Sequence, residues 1–594
     1  MLPHNLIEQR LQQAVQAVLP DADVSSVRVR PCPDPKFGDY QANALMALAK
    51  ERKLNPRQLA TDVAGKLDVR DFCEKVEIAG AGFLNFRLKP SALSDALNTA
   101  ARGDHLFFEK TLQPRTVVID FSSPNVAKPM HVGHIRSTIL GDSLARVLRL
   151  LGHNVITDNH LGDWGTQFGM LLVGWKTILD QSALKADPIA EMERIYKIIS
   201  AKSDPDKPEF DAAARDRARA ELVKLQSGDA ENLSIWREMI RLSQNQFDTI
   251  YGRLGVKFDH TLGESFYNSN LQAIVNDLIR RGVAKESEGA RAVFSDGSLP
   301  PKEDPFLINR EGEWVPLPFI VQKSDGGFNY ATTDLATLAY RLETWHADEV
   351  IYVTDARQQL HFRQLFAAFR RWRPETKVTL AHVTFGSILG DDDKPFKTRT
   401  GETVRLSDLL DEAEERSYKV VSEKNPDSLE AERRRIAPVV GTGAVKYADL
   451  LPNRQSDYVF NWDKILALDG NTAVYLLYAY ARIRSIFRKA QAEGLDTRSA
   501  NACITLSAPQ ELALAKHLLN FGMVLDGMAS EYRPNFLCNY LYELAGYFTS
   551  FYENCPVLKS EPAQRASRLM LCELTGRVLK QGLELLGIQT LEQM

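Results

Sequence analysis

Lys128, His131, Gly133 and His134 lie close together in the string Pro124-Asn125-Val126-Ala127-Lys128-Pro129-Met130-His131-Val132-Gly133-His134. Imidazole and ammonium groups donate hydrogen bonds to phosphoryl oxygens, and they matter most where negative charge grows during displacement at phosphorus. A glycine between the two histidines lets such a ligand come close to the backbone. Taken alone, His-x-Gly-His is equally compatible with an ordinary helix start or a metal-binding pair. The elements around it decide.

The string follows Thr116-Val117-Val118-Ile119-Asp120-Phe121, whose β-branched residues predict a strand. A helix is expected from near Gly133, because Ile135, Ile139, Leu140, Leu144, Val147, Leu148 and Leu151 recur at helical spacing and would pack one face on a sheet. A strand that turns into a helix aims free backbone N–H groups, and the positive end of the helix dipole, at the space above the strand end. A phosphate fits there.

At 594 residues the chain is too long for one core, so three or four domains are expected. A hydrophobic content of 44% and a charged content of 25% are those of an ordinary soluble protein. No apolar run is long enough to span a bilayer and the N-terminus has no basic-then-apolar signal pattern, so a cytoplasmic protein without membrane attachment is expected. Six scattered cysteines with no Cys-x-x-Cys pair point to reduced thiols and against a structural zinc. With a net charge of −4, any RNA surface must be a local basic patch.

Residues 1–112 start with an amphipathic helix and continue in strands such as Val76–Ala79 and Phe83–Leu88, a small α+β domain. Residues 113–460 read as an α/β domain built on a parallel, Rossmann-like sheet. It is interrupted from about 176 to 315 by a charged, helical insertion. Residues 461–594 read as almost entirely helical. Gly441–Lys446 lacks the spacing and preceding strand of a phosphate loop, and Asp391–Lys394 lacks the ligand spacing of a calcium loop.

The extended string from Phe121 to Asp142, with His131-Val132-Gly133-His134 as its "HIGH" signature, resembles arginyl-tRNA synthetases of the bacterial type, members of class I of the aminoacyl-tRNA synthetases. His160–Gly169, Asn329–Asp334, Gly443–Asp449 and Ala473–Arg482 support the resemblance, which runs from near residue 35 to the last residue. It implies a ligase that joins L-arginine to the 3′ end of arginine tRNA at the expense of ATP, with magnesium accompanying ATP and a monomeric chain. It also implies that residues 1–112 bind the tRNA elbow and 461–594 bind the anticodon. Two other readings stay open on the residues alone: an HxGH nucleotidylyl transferase that does not use tRNA, and an RNA-binding paralogue without catalysis.

Activation requires in-line attack of a carboxylate on the α-phosphorus of ATP, which a protein promotes by positioning and by stabilising phosphoryl charge. The resemblance gives Lys128, His131 and His134 to this chemistry, with His131, Gly133, His134 and His361 on ATP. The chain departs from the class I KMSKS loop. In Lys394–Glu402, Thr398 stands where the second lysine is expected, Lys397 and Arg399 flank it as candidates for pyrophosphate, and Lys128 is the implied substitute.

Selecting arginine calls for carboxylates and an aromatic wall around a guanidinium fork. The resemblance gives these roles to Asp334 and Tyr330, and their spacing of four at an expected helix start lets both face one ligand. The resemblance adds Asp120 for the guanidinium end, Asn125 for the α-amino group, and Gln358, with neighbouring Gln359 open. For RNA, Tyr475, Tyr478 and Tyr480 precede Arg482, Arg484, Arg488 and Lys489, an interleaving of stacking and cationic groups suited to single-stranded bases. The resemblance favours Tyr475 and Tyr478 as stackers, brings Met594 to the anticodon site, and gives Phe83 and Asn85, two apart on one strand face, to the tRNA elbow.

Overall fold

Runs of β-branched and aromatic residues form the central strands β1 (Thr116–Asp120), β2 (Asn154–Asp158), β3 (Glu349–Asp355) and β4 (Thr379–Phe385). They pair in parallel in the order β4-β3-β1-β2. Val117, Val118, Ile119, Val350, Ile351 and Val353 are fully buried, as expected of a parallel sheet covered on both faces. The chain leaves β1 toward β2 and later returns to lay β3 and β4 on the other side. The switch point between β1 and β3 therefore opens a crevice at the carboxyl ends of the strands. This computed structural model describes residues 2–103, 106–390, 394, 396, 404–424, 426–495 and 502–594.

Helix α1 (Val132–Leu150) follows β1. The apolar spacing predicts one buried face, yet Arg136, Ser137, Thr138, Asp142 and Ser143 are buried as well. Tertiary partners make this tolerable. Ser137 Oγ donates to the carbonyl of Val353 at 2.6 Å and accepts the N–H of Ser122 at 2.8 Å. Arg136 donates to the carbonyl of Gly386 at 2.8 Å and pairs with Asp449 at 3.0 Å. Gly141 is required by close approach, since a Cβ there would lie 2.2 Å from the Phe121 ring.

Between β2 and β3 come α2 (Thr166–Ile178), α3 (Pro188–Ser203) and α4 (Ala230–Leu254), with a further helix at Ala212–Gln226. The insertion is not helical to its end. Ala284–Ser287 pairs with Ala290–Val293, and Leu307–Arg310 with Glu313–Pro316, both antiparallel. Glu288-Gly289 and Glu311-Gly312 all have positive φ, the conformation that lets a two-residue turn match strand twist. The two Glu-Gly pairs were the legible signal for these hairpins. Helices α5 (Tyr330–Glu343) and α6 (Gln359–Trp372) flank β3.

These elements belong to a compact unit of Leu112–Glu423 and Gly441–Ile465. A second unit takes Met1–Thr111, Lys424–Val440 and Leu466–Met594. In it, a four-stranded antiparallel sheet (Arg30–Pro31, Tyr40–Ala42, Phe83–Leu88, Cys73–Ala79 in spatial order) packs with a set of C-terminal helices. Lys516 pairs with Asp39 at 2.7 Å, and Arg577 donates to the carbonyl of Gly103 at 2.8 Å, so both ends of the chain share one unit. Among the described residues, no helix is long and apolar enough to cross a membrane.

Candidate active site

The loop from β1 to α1 is held in an unusual backbone. Ser122, Ser123 and Ala127 have φ of 72°, 48° and 62°, the left-handed region that side chains disfavour. Each is pinned through its N–H: Ser122 by Ser137 Oγ, Ser123 by Asn159 Oδ1 at 3.0 Å, and Ala127 by Ser243 Oγ at 2.9 Å. The path delivers His131 as the N-cap of α1. His131 Nδ1 accepts the N–H of Gly133 at 3.0 Å, and His134 Nδ1 accepts the N–H of His131 at 3.1 Å. The rings sit 4.0 Å apart. With both Nδ1 lone pairs used, the proton of each neutral ring resides on Nε2, free to donate to an anion. Burial lowers the pKa of His134 to about 3, with His131 adding to the shift. His131 is lowered too, by burial first and then by the Arg357 cation. Gly133 has a second role beyond ligand access: a Cβ would lie 2.8 Å from His131 Cε1.

Lys128 Nζ lies 4.9 Å from the Tyr196 ring centroid, so α3 of the insertion borders the phosphate end. The chain beyond the expected KMSKS position returns to the same place. Val132 N–H donates to the carbonyl of Val404 at 3.1 Å and Leu406 N–H to that of Met130 at 2.9 Å, bridging Arg405 to His131. Arg405 pairs with Asp187 at 3.3 Å and Glu193 at 3.5 Å. Sequence reasoning missed this anchor, because antiparallel pairing across so long a separation leaves no local pattern. Lys397, Thr398 and Arg399 lie outside the described residues.

Across the crevice, α5 starts after Asn329, whose side chain makes no cap bond, and carries Tyr330 and Asp334 in its first turns. His361 Nε2 and Asp334 Oδ2 are 2.6 Å apart, and the Tyr330 ring stands edge-on to His361 at 4.8 Å. Tyr330 is 63% exposed, a ring available to a ligand. His361, the expected neighbour of adenosine, sits beside Asp334. Gln358 and Gln359 are both exposed at the start of α6. Asn125 is exposed and packs on the Gly162 backbone, where a Cβ would come 2.2 Å from its Oδ1.

Asp120 has a different environment from the expected one. Its carboxylate is buried, 2.6 Å from Arg341 Nη2, and accepts Ser123 Oγ at 2.9 Å. Asp120 Oδ2 thus already pairs with a guanidinium of the protein's own, contributed by α5. A carboxylate the sequence reading missed is Glu264. Burial raises its pKa to about 7; His160 opposes this, while Asp334 and Asp163 push further upward. Its backbone N–H donates to the carbonyl of Leu161 at 3.0 Å, which ties it to the His160–Gly169 segment.

In the other unit, helix α7 (Ala473–Ala492) carries the expected RNA residues. Tyr478 is 44% exposed with the Arg482 guanidinium 5.0 Å from its ring centroid, and half-buried Tyr475 lies 5.7 Å from Tyr542. Tyr480, Arg484 and Arg488 depart from the interleaved pattern. Tyr480 donates to Glu592 at 2.8 Å, Arg484 to the same carboxylate at 2.9 Å, and Arg488 to the Glu592 carbonyl at 2.7 Å. They fasten the C-terminal segment that ends in half-buried Met594. Phe83 is half-buried on its strand, while Asn85 is buried and accepts from Gln41 Nε2 at 2.8 Å.

Residues 97–462 match the family model described as tRNA synthetases class I (R), catalytic domain. Residues 476–594 match the DALR anticodon binding domain, and 5–88 the arginyl tRNA synthetase N terminal domain. The chain is 47% identical to an arginine–tRNA ligase of Laribacter hongkongensis, with 99% of each chain covered. It is 46% identical to that of Chromobacterium violaceum, with 100% of each covered. Among solved structures it is similar to arginyl-tRNA synthetase from Plasmodium falciparum, with a TM-score of 0.81, 29% identity, and coverage of 100% of this chain and 99% of that one. The Thermus thermophilus arginyl-tRNA synthetase gives a TM-score of 0.81 at 25% identity, with 100% of both chains covered.

Proposed function

The chain belongs to the arginyl-tRNA synthetases, within class I of the aminoacyl-tRNA synthetases, and we propose how its residues divide the work. The activity is that of an arginine–tRNA ligase: arginine and ATP give arginyl-adenylate and pyrophosphate, and the arginyl group passes to tRNA with release of AMP. The observation that carries the residue assignment is the paired imidazole cradle, with both Nδ1 atoms occupied by backbone N–H groups.

His131 and His134 donate their Nε2 protons to the α-phosphate oxygens as the arginine carboxylate attacks the α-phosphorus. The N-terminus of α1 adds its dipole. Lys128 balances the departing pyrophosphate in place of the lysine absent at Thr398, with Lys397 and Arg399 assisting. ATP enters as its magnesium complex, the metal riding on the phosphates. Among the described residues no group of three His, Cys, Asp or Glu side chains suits a resident cation.

Asp334 and Glu264 take the arginine guanidinium against the Tyr330 ring, while Asn125 and Gln358 orient the α-amino end. Tyr475, Tyr478 and Met594 meet the anticodon, and Phe83 and Asn85 the tRNA elbow. The chain divides at 1–112, 113–460 and 461–594, acts as a monomer, and works in the cytoplasm, where tRNA and ATP are found. With Thr398 at the lysine position, activation depends on tRNA, which contributes its differential affinity for the activation-competent state. Aminoacylation with labelled arginine and total tRNA tests the whole reading. ATP-dependent labelling of tRNA is expected, and labelling with another amino acid instead would overturn it.

A further inference from the structure

Beside His131 the phosphate end of the crevice holds a second cation, Arg405. The two residues oppose each other directly in an antiparallel pair. It is closed by the bonds from Val132 N–H to the carbonyl of Val404 and from Leu406 N–H to that of Met130. Residues opposed between such flanking bonds have Cα atoms about 4.5 Å apart and side chains on one face. The Arg405 side chain therefore leaves the backbone next to the His131 imidazole. Lys128, three residues earlier, lies against the Tyr196 ring of α3. The partners of Arg405 come from the same helix: Asp187 is its N-cap, and Glu193 precedes Tyr196 by one turn.

None of these groups depends on the ion pairs. Their separations of 3.3 and 3.5 Å are long for a guanidinium on a carboxylate, and the Arg405 side chain is 35% exposed. Such pairs add little net stability. Asp187 Oδ1 caps α3 by accepting the Ala190 N–H at 3.0 Å, and Glu193 pairs with Lys197 at 2.8 Å. The backbone at 405 is fixed by its two bonds to the segment of His131. We propose that Arg405 is a further phosphate-binding residue for ATP, resting on Asp187 and Glu193 and passing its guanidinium to the phosphate oxygens when nucleotide enters. Phosphate accepts the planar fork in two parallel bonds and carries more charge than either carboxylate, so the exchange of partners is favourable. The inference rests on reading His131 and His134 as the phosphate cradle.

The test is arginine-dependent pyrophosphate exchange in the presence of tRNA, with Arg405→Gln, Arg405→Lys, D187N/E193Q and D187N/E193Q/R405Q measured beside the parent chain. Arg405→Gln is expected to raise the KM for ATP about tenfold while the KM for arginine stays within about twofold. Arg405→Lys keeps the charge and loses the fork, and should raise the ATP KM about threefold. D187N/E193Q should lower it at least about twofold, because Arg405 then has no competing partner, while asparagine still caps α3. A residue that only clamps the chain to α3 predicts the opposite sign, since loss of either side of a clamp does the same damage. The triple variant should match Arg405→Gln. The proposal is overturned by an unchanged ATP KM in Arg405→Gln, or by an equal or higher one in D187N/E193Q. A gain from the two α3 changes that persists without Arg405 is a general charge effect and overturns it too. If Arg405→Gln does not melt cooperatively, Arg405→Lys and D187N/E193Q decide. An ATP KM unmoved in the first, or not lowered in the second, then overturns the proposal. An unchanged exchange rate in His134→Ala would instead remove the cradle on which it rests. An effect of His134→Ala without one of Arg405→Gln removes the inference alone.

Discussion

His134 Nδ1 accepts the backbone N–H of His131 at 3.1 Å, while His131 Nδ1 accepts the N–H of Gly133 at 3.0 Å. The same bonds that cap α1 set the tautomer of both rings, so helix initiation and phosphate recognition are one piece of geometry. Replacing His134 by Ala, or Lys128 by Met, removes a donor to the phosphoryl oxygens. Each should lower the single-turnover rate of adenylate formation by two to three decades, or about 3–4 kcal/mol. An unchanged rate in either variant removes that residue from the mechanism.

The buried His134 also carries a pH signature. Its folded pKa is depressed to about 3 from an ordinary value of 6.5. The unfolded chain therefore takes up a proton that the folded chain refuses. Its contribution to stability is fully present above pH 6.5 and is lost progressively as the pH falls toward 3. Each pH unit in that window costs roughly 1.4 kcal/mol. The melting temperature should fall less steeply between pH 6.5 and 5 in His134→Asn than in the parent, and parallel curves would contradict the assignment.

Asp334→Asn keeps the shape of the side chain and removes its charge. Arginine binding should weaken by about 2–5 kcal/mol if the pair is desolvated, with ATP binding little changed. Calorimetric titration with each ligand separates the two. Retained arginine affinity in a less stable protein would make Asp334 a partner of His361 and nothing more.

Glu264 predicts a pH dependence of substrate binding. Its carboxyl, raised by burial to about 7, destabilises the folded chain increasingly as the pH climbs from 4.5 past 7. A bound guanidinium favours the ionised form and expels the proton. Arginine affinity should therefore improve as the pH rises from 6 toward 8, approaching tenfold per unit below about 7. Glu264→Gln should flatten that profile, and an unaltered slope would place Glu264 outside the pocket.

Tyr478→Ala removes an exposed ring already stacked by Arg482. Binding of arginine tRNA should weaken by about 1–3 kcal/mol, while the KM for arginine holds. Equal tRNA affinity of parent and variant would return Tyr478 to the role of a surface tyrosine.

Local spacing determined a good deal here. The β-branched run 116–120 predicted the strand, the histidine pair marked the start of the helix after it, and Tyr330 and Asp334 fell at the start of a helix as their spacing suggested. Those features are local, carried by residues a turn or a strand repeat apart, where sequence period and geometry are the same information. What the spacing could not decide involves partners far along the chain. Nothing near Asp120 in the sequence announces Arg341, 221 residues away, as a partner of its carboxylate. Glu264 sits in an insertion that reads only as helical and charged, and its tie to the His160–Gly169 segment appears only on folding. Tyr480 and Arg484 looked like RNA contacts until Glu592 closed on them. A charged side chain reads the same in sequence whether it meets solvent, substrate or another residue of its own chain. Burial and pairing distinguish these cases, and both are properties of the tertiary structure.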